Sequence, residues 1–496
     1  MISELVPVTL VVTEATLQAL PRLLRAKSLR PSRPTTRRWR LVYWDTPDLR
    51  LYRARSVLVL VRRGRGRWLQ RYYRELYSRR LPILGDAASE DGAPDARGLD
   101  DPRLRGALRP YAERDVMRTV RTIRLRDECE VTLSIDRGRA RVIDATPRWR
   151  AILEIELALL AGTAEHLYEL ASVIVDELPG ARLLFDSEAE RAYGGLAGAV
   201  ERPRSARRVD ADPREPLARL VANATAECIA QIAENVEGAK RGSDDEALHQ
   251  LRVGVRRLRS IVRVAPAAGL APLPEDARAR LKWLWKLLGE ARDWDVFMAQ
   301  TLPEIRRIVD PASAERFEAV AAGLRKRSHV NVNRALRGKP FHLAMLTLAR
   351  LSARQCAEAA AHGEGSSRRL AKRLLSVREA RLLRRGRHVG RRSREALHEL
   401  RVGVKRLRYL GEFLAVLFDQ DESGRYLKCL ATVQSALGRL NDLVVAEQLV
   451  RILESRCAAF GVAHDWHPHA ASRERALRGE LRENWKAFRQ CRPFWR

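Results

Sequence analysis

EALHQLRVGVRRLR (Glu246–Arg259) and EALHELRVGVKRLR (Glu395–Arg408) are one stretch written twice, differing only at Gln250/Glu399 and Arg256/Lys405. The same offset of 149 residues relates LLGEARDWDV (Leu287–Val296) to ALGRLNDLVV (Ala436–Val445). A shared fixed offset marks a duplicated unit rather than two chance helices. Within each copy the apolar residues recur at three and four. In the first they are Leu248, Leu251, Val255, Leu258 and Val262, the stripe of a helix that buries one face. His249, Arg252, Arg256 and Arg259 fall on the other side, within an arc of roughly 80° at about 100° per residue. His398, Arg401, Lys405 and Arg408 repeat that arc, and Arg257 and Arg406 flank the two arcs.

Like charges three and four apart weaken an isolated helix by a few tenths of a kcal/mol per pair, about 0.2–0.5. Their recurrence in both copies implies an anion that offsets them. Arg forks match phosphate oxygens with paired hydrogen bonds, and a Lys adds a point charge. A His whose pKa rises beside phosphate adds a third kind of donor. The rest of the chain agrees. Its 496 residues carry 93 Lys and Arg against 62 Asp and Glu, a net charge of +31. Residues 201–496 hold 58 of those cations against 35 carboxylates, so the positive field lies mostly in the C-terminal part. Such a field attracts nucleic acid, anionic membrane or a polyphosphorylated ligand.

Other signals bound the reading. The six cysteines are scattered without a C-x-x-C pair, so neither a zinc site nor a disulfide framework is expected. No apolar run approaches the ~18–20 residues of a membrane span. The opening MISELVPVTL lacks a signal peptide's basic region and cleavage site, so the expected compartment is the cytosol. His464, Asp465, His467 and His469 have metal-like spacing but no Cys and no repeat partner, and are read as a polar loop. Trp283 and Trp285 share a helix and are read as packing. No metal and no cofactor is expected.

The pattern changes along the chain. Up to residue 200 it alternates in strand fashion, as in Val6–Val12, Arg40–Thr46, Ser56–Arg63, Arg121–Leu125, Glu130–Asp136 and Ile152–Leu160, with a helix at Ala164–Glu177. Asp86–Asp101 reads as a loose loop. After Leu217 the period becomes helical. The expected layout is a sheet domain at 1–200, a linker at 201–213, a first helical repeat at 214–365, a basic connector at 366–394 and a second repeat at 395–496. The connector carries twelve Arg and Lys against one acid, Glu379 in Ser366–Arg394; it is expected to include a helix, and its charge reads equally as a solvated face or as ligand contact.

The pattern H-x-x-R-V-x-V-[KR]-R-L-R, twice, each followed by L-G-x-x-[RN]-D, closely resembles the CHAD domain, over about residues 214–490. That resemblance implies two pseudo-symmetric four-helix bundles and binding of inorganic polyphosphate along basic surfaces. Carried over by position, the polyphosphate contacts are His249, Arg252, Arg256, Arg257, Arg259, His398, Arg401, Lys405, Arg406, Arg408 and Lys428. Lys428 matches the basic position of an L-K-x-L element. The first repeat has Ala279 there, between Arg278 and Arg280. Arg292-Asp293 and Asn441-Asp442 are assigned to bonds between helices. YWDTPDLRLYRARSVLVLVRR, LSIDRGRA, LEIELALL and SEAERAYGGL resemble the CYTH, or triphosphate-tunnel, fold, which implies a closed antiparallel β-barrel. Its metal and triphosphate ligands are eroded. Leu5, Pro7 and Thr9 stand at the opening E-x-E-x-K, Val59 and Val61 replace two arginines, and Ser187-Glu188 reverses a lysine's charge, while Glu154 and Glu156 survive.

The expected fold is therefore α+β and multidomain, a CYTH-like barrel followed by an all-α CHAD domain. The expected function is polyphosphate binding, on granules in a bacterial cytosol, with no catalytic residues. Nonspecific nucleic-acid binding and metal-dependent triphosphate hydrolysis are the alternatives, and no membrane partner is expected.

Overall fold

Among the described residues, the alternation of the N-terminal part becomes ten antiparallel strands. They are β1 (Glu4–Leu5), β2 (Val8–Val11), β3 (Thr35–Asp45), β4 (Ser56–Arg63), β5 (Trp68–Leu76), β6 (Arg79–Ser89), β7 (Arg109–Arg124), β8 (Glu130–Val142), β9 (Arg150–Ala161) and β10 (Arg182–Leu183). The structure is a computed structural model that describes residues 4–5, 7–76, 79–89, 92–94, 107–143, 148–186, 188–193, 203–207, 209, 212, 214–241, 245–361, 367–457 and 462–496. It divides into two compact units. One is Met1–Arg204 with Ala233–Gly238 and Arg337–Arg354; the other is Ser205–Ile232, Ala239–Leu336 and Gln355–Arg496.

The strands of the first unit run in the order β1-β6-β5-β4-β3-β7-β8-β9-β2-β10. One face of β9 carries Ile155 and Leu157, fully buried with Leu133, Val131 and Leu10 beneath α1 (Glu14–Ala26) and α3 (Ala164–Glu177). The other face carries Glu154 and Glu156, since successive side chains on a strand point to opposite faces. The short helices α2 (Arg50–Arg53) and α4 (Glu188–Tyr193) complete this unit. The closed barrel expected from the resemblance is corrected to an open ladder ending in two-residue strands. β1 pairs with β6 and β2 with β9, and between them Pro7 has no amide hydrogen to continue a ladder. Two further readings change. β5 and β6 escaped the sequence reading, and β6 takes residues 86–89 of the supposed loop, of which 90–91 and 95–101 lie outside the described residues.

The second unit is helical. Its elements are α5 (Leu217–Ala233), α6 (Val236–Arg241), α7 (Asp245–Ile261), α8 (Glu275–Val296), α9 (Leu302–Ile305), α10 (Pro311–Arg337), α11 (Lys339–Ala361), α12 (Ser367–Arg385), α13 (Arg394–Leu414), α14 (Gln420–Cys457) and α15 (Val462–Gln490), with residues 233–238 and 337–354 clustering with the sheet. The helices of the two repeats share a core, in which Trp294, Phe297, Ile305 and Phe317 pack with Val450, Leu453, Val462 and Trp466.

The duplication is visible in how α7 and α13 seat. A Cβ on Gly254 would lie 2.9 Å from Ile232 Cγ1 on α5, and one on Gly403 would lie 3.1 Å from Leu382 Cδ1 on α12. Each glycine lets its helix approach a partner, α5 for α7 and α12 for α13. The segment read as a basic connector thus supplies α12, which stands to α13 as α5 stands to α7. His464, Asp465, His467 and His469 are in α15, not in a loop, and His469 Nε2 lies 3.3 Å from Glu304 Oε2. Cys429 and Cys491 form a disulfide that the scattered spacing had not suggested.

Candidate functional site

The apolar stripes of the two repeated helices are buried as their period requires. Leu248, Leu251, Val255 and Leu258 of α7 and Leu397, Leu400, Val404 and Leu407 of α13 are all at most 5% exposed. The cationic arcs of the two helices are brought together. The Arg256 guanidinium lies 4.9 Å from the centre of the Tyr409 ring, and Arg257 lies 5.0 Å from that of Phe413. Trp285 of α8 takes two cations, Arg252 at 4.9 Å and Arg259 at 5.2 Å.

At the centre are Arg252 and Arg256 from α7 with Arg401 and Lys405 from α13, all half-buried. Burial and mutual repulsion act on each. Burial, with Arg256, Arg292 and Arg401 nearby, brings Arg252 down to about 10. Burial lowers Arg256 and Arg401 as well, and each is repelled by cations of the opposite helix. Burial, then Arg401, Arg256 and Arg252, brings Lys405 down to about 7. The nearest carboxylates compensate in part: Asp293 is the strongest charge acting on Arg252 and Asp442 on Arg401, yet burial outweighs both. Burial pushes Asp293 and Asp442 upward, and Asp442 adds to the push on Asp293, although Arg252 and Arg401 pull the other way. These two aspartates obey the 149-residue offset and line a small cavity with Val296, Phe297 and Thr301.

Three donors here are buried without an acceptor: Arg256 Nε, Arg401 Nε and the Tyr409 hydroxyl. A buried donor left unpaired costs about 1–3 kcal/mol, more when charged. A group of cations whose counter-charge does not make up for burial, with idle donors, suits a ligand with many anionic oxygens.

The remaining sequence candidates separate around this centre. Arg257 is 8% exposed and donates to Gln231 Oε1 at 2.9 Å, which ties α7 to α5. Arg408 is paired with Glu412 at 2.8 Å. His398 is exposed, with Nδ1 3.1 Å from Asn441 Oδ1. Burial and then Arg292 lower His249, against the pull of Glu246. Arg406 is exposed, lowered by burial and then by Arg263 and Arg385. Lys428 is exposed on α14, outside the contacts that define the centre. Sequence reasoning missed Trp285 and Tyr409 as ring platforms for the cations. It assigned Asp293 and Asp442 to bonds between helices, and the packing sets their charges beside Arg252 and Arg401.

The surviving carboxylates of the sheet unit are already held. Arg118 is bidentate to Asp136 at 2.6 and 2.7 Å and reaches Glu156 at 3.3 Å, and Arg114 bonds Glu154 at 2.8 Å. Val59 and Val61 are buried in an apolar cluster with Leu41, Tyr43 and Tyr73. Glu188 accepts from the hydroxyls of Tyr43 at 2.9 Å and Tyr73 at 2.6 Å. Thr9 lies across the ladder from Glu156. Ser187 lies outside the described residues.

Comparison with known proteins bears on the helical unit. Residues 223–451 match the family described as CHAD domain. A solved structure, "Crystal structure of the CHAD domain from the plant Ricinus communis", is 30% identical. It covers 58% of this chain and 93% of its own, with a TM-score of 0.47. Another, "PptA from Streptomyces chartreusis", is 15% identical, covers 55% of this chain and 100% of its own, and has a TM-score of 0.41. No curated protein matches.

Proposed function

The chain belongs to the CHAD domain family through residues 223–451, and from that premise we propose that it binds inorganic polyphosphate along the facing cations of α7 and α13. The observation that carries this reading is the half-buried group Arg252, Arg256, Arg401 and Lys405, with two buried Nε donors lacking an acceptor. A phosphate chain brings one charge and several acceptor oxygens per unit, and it is thin and flexible enough to reach recessed guanidinium groups. A rigid duplex meets recessed cations poorly, which favours polyphosphate over nucleic acid. On this reading the chain resides on polyphosphate granules in a bacterial cytoplasm. Among the described residues no helix is long and apolar enough to cross a membrane.

The sheet unit, on the same reading, is a CYTH-like domain that no longer hydrolyses triphosphate. A divalent metal needs carboxylates free to coordinate it. Asp136, Glu154 and Glu156 are instead bonded to Arg114 and Arg118, and the donor set does not fit a metal. Incubation with tripolyphosphate and Mg²⁺ or Mn²⁺ should release no phosphate above background. Turnover abolished by Glu154→Gln would restore an enzyme.

The binding reading is tested by calorimetric competition of long-chain polyphosphate against duplex DNA on the whole chain. Polyphosphate should displace DNA, and DNA should not displace polyphosphate. Replacing Arg252, Arg256, Arg401 and Lys405 together by Ala should weaken polyphosphate by about 100-fold or more, since each charge-assisted hydrogen bond contributes about 1.5–3 kcal/mol. A folded quadruple variant that binds as before would place the ligand elsewhere.

A further inference from the structure

The helices that pack against the repeated ones, α5 on α7 and α12 on α13, differ sharply in charge. α5 carries only Arg219 and Glu227 as charged residues over Leu217–Ala233. α12 carries Arg368, Arg369, Lys372, Arg373, Arg378, Arg381, Arg384 and Arg385 with one carboxylate, Glu379. That carboxylate is spent internally, 3.2 Å from the Tyr426 hydroxyl and 3.0 Å from Arg496. The C-terminal half of α12 then opens a cleft of about 380 Å³, lined by Arg381, Arg384, Arg385, Arg392, Ala396 and Glu399. Arg381, Arg384 and Arg385 are exposed and make no ion pair among the described residues. Counting Arg392, four guanidiniums face one carboxylate. At the positions 149 residues earlier the first repeat has Ile232, Asn235, Val236 and Ser243 in place of the four arginines, and Gln250 in place of Glu399.

The turn that follows α12 lies close against α15. Gly386 and Gly390, which follow α12, lie so close to α15 that a Cβ on Gly390 would sit 2.4 Å from Arg482 Cδ, and one on Gly386 would meet the Trp485 ring. A line of cations also leads to it from the central group. Arg252 and Arg259 share Trp285. Arg259 is repelled by Arg406, and Arg406 in turn by Arg385. Arg378 of α12 feels both Arg406 and Arg381.

We propose that the cleft of Arg381, Arg384, Arg385 and Arg392 is a second anion site, peculiar to the second repeat, which takes the continuation of a phosphate chain anchored between α7 and α13. This rests on the central site being the anchor. It makes chain length the quantity that the site selects. Tripolyphosphate occupies the anchor alone, whereas a long chain occupies anchor and cleft and gains from the high effective concentration of its own free end.

The test compares tripolyphosphate and long-chain polyphosphate by calorimetry on the whole chain. In one variant Arg381, Arg384 and Arg385 are replaced by Ala. In a second, Glu399→Gln removes the one carboxylate among the described residues of the cleft and copies the first repeat. The triple variant should lose about 10-fold or more of its long-chain affinity and keep its tripolyphosphate affinity. Its slope of log affinity against log salt should fall by about three, on the analogy of counterion release from nucleic acid. E399Q should bind long chains more tightly. Long-chain affinity equal to that of the parent in both variants would overturn the cleft while leaving the anchor standing, provided Arg252→Ala with Arg256→Ala still weakens both ligands. Equal losses for both chain lengths in the triple variant would overturn the division into anchor and continuation. If instead the Arg252/Arg256 variant binds normally, the anchor reading fails, and with it the inference that depends on it.

Discussion

Lys405 is the residue at which charge and burial conflict most openly. It replaces Arg256 of the first copy, and this exchange gives the group a proton that can leave near neutrality. Burial and the cations Arg401, Arg256 and Arg252, opposed only by Asp442, bring it from 10.5 to about 7. An unfolded chain binds that proton up to about pH 10.5, so between about 7 and 10.5 the unfolded state holds more protons than the folded one. The free protein therefore gains stability from this group as pH rises through that window. A bound polyanion reverses the sign, because it favours the ammonium form. Binding at pH 8 should then take up close to one proton, and affinity should fall as pH rises. Calorimetry at pH 8 in buffers of different ionisation enthalpy measures the uptake directly. Lys405→Met should lose most of it, and its affinity should drop about 10-fold, as for one charge-assisted bond. Identical heats in all buffers for the parent protein would mean that Lys405 does not titrate on binding.

At the scale of elements, the seating of α7 and α13 depends on two glycines whose surroundings differ. A Cβ at Gly254 meets Ile232 Cγ1 at 2.9 Å and also the Ile232 backbone nitrogen at 3.2 Å, so α7 would have to move off α5. A Cβ at Gly403 meets only Leu382 Cδ1 at 3.1 Å, the end of a side chain that can turn. Alanine in a helix gains about 0.5–1 kcal/mol over glycine, whereas overpacking costs about 1–3 kcal/mol. Gly254→Ala should thus lower the urea midpoint, and Gly403→Ala should leave it unchanged or raise it. Equal losses would mean that the two helix pairs are equally tight. The same elements show what was legible. α7 and α13 could be read because the apolar stripe and the duplication agree. α12 was harder, because its inward positions are Ser367, Ala371, Leu375, Glu379 and Leu382. A buried, paired Glu379 breaks the apolar pattern that sequence reasoning uses. β5 was obscured in the same way, since Arg71 and Arg74 interrupt its apolar run. The arcs of the site were legible on a helical wheel, but a wheel does not say which neighbour a face meets. The rings of Tyr409 and Trp285 as seats for the cations, and the place of Asp293 and Asp442 beside the arcs, therefore follow only from the packing.

Across the whole molecule the two units answer to different electrostatics. In the sheet unit the inward cations Arg114 and Arg118 are matched by Asp136, Glu154 and Glu156. In the helical unit the cations outnumber the acids, and among the described residues the central four make no ion pair within 4.0 Å. An anion should therefore stabilise the helical unit selectively. A ligand at about 100 times its Kd adds about 2.7 kcal/mol to whatever binds it. For a unit of this size that corresponds to a rise in Tm of about 5–10 °C. Scanning calorimetry of the whole chain with long-chain polyphosphate at low salt should show the transition of the helical unit moving up by that amount, with the transition of the sheet unit left in place. High salt should erase the shift, because ions of the buffer then compete for the same cations. The quadruple variant lacking Arg252, Arg256, Arg401 and Lys405 should show little of the shift even at low salt. A rise confined to the sheet unit would move the binding site there. A rise that persists in the quadruple variant would show that the diffuse field of the unit, and not the facing arcs of α7 and α13, holds the polyanion.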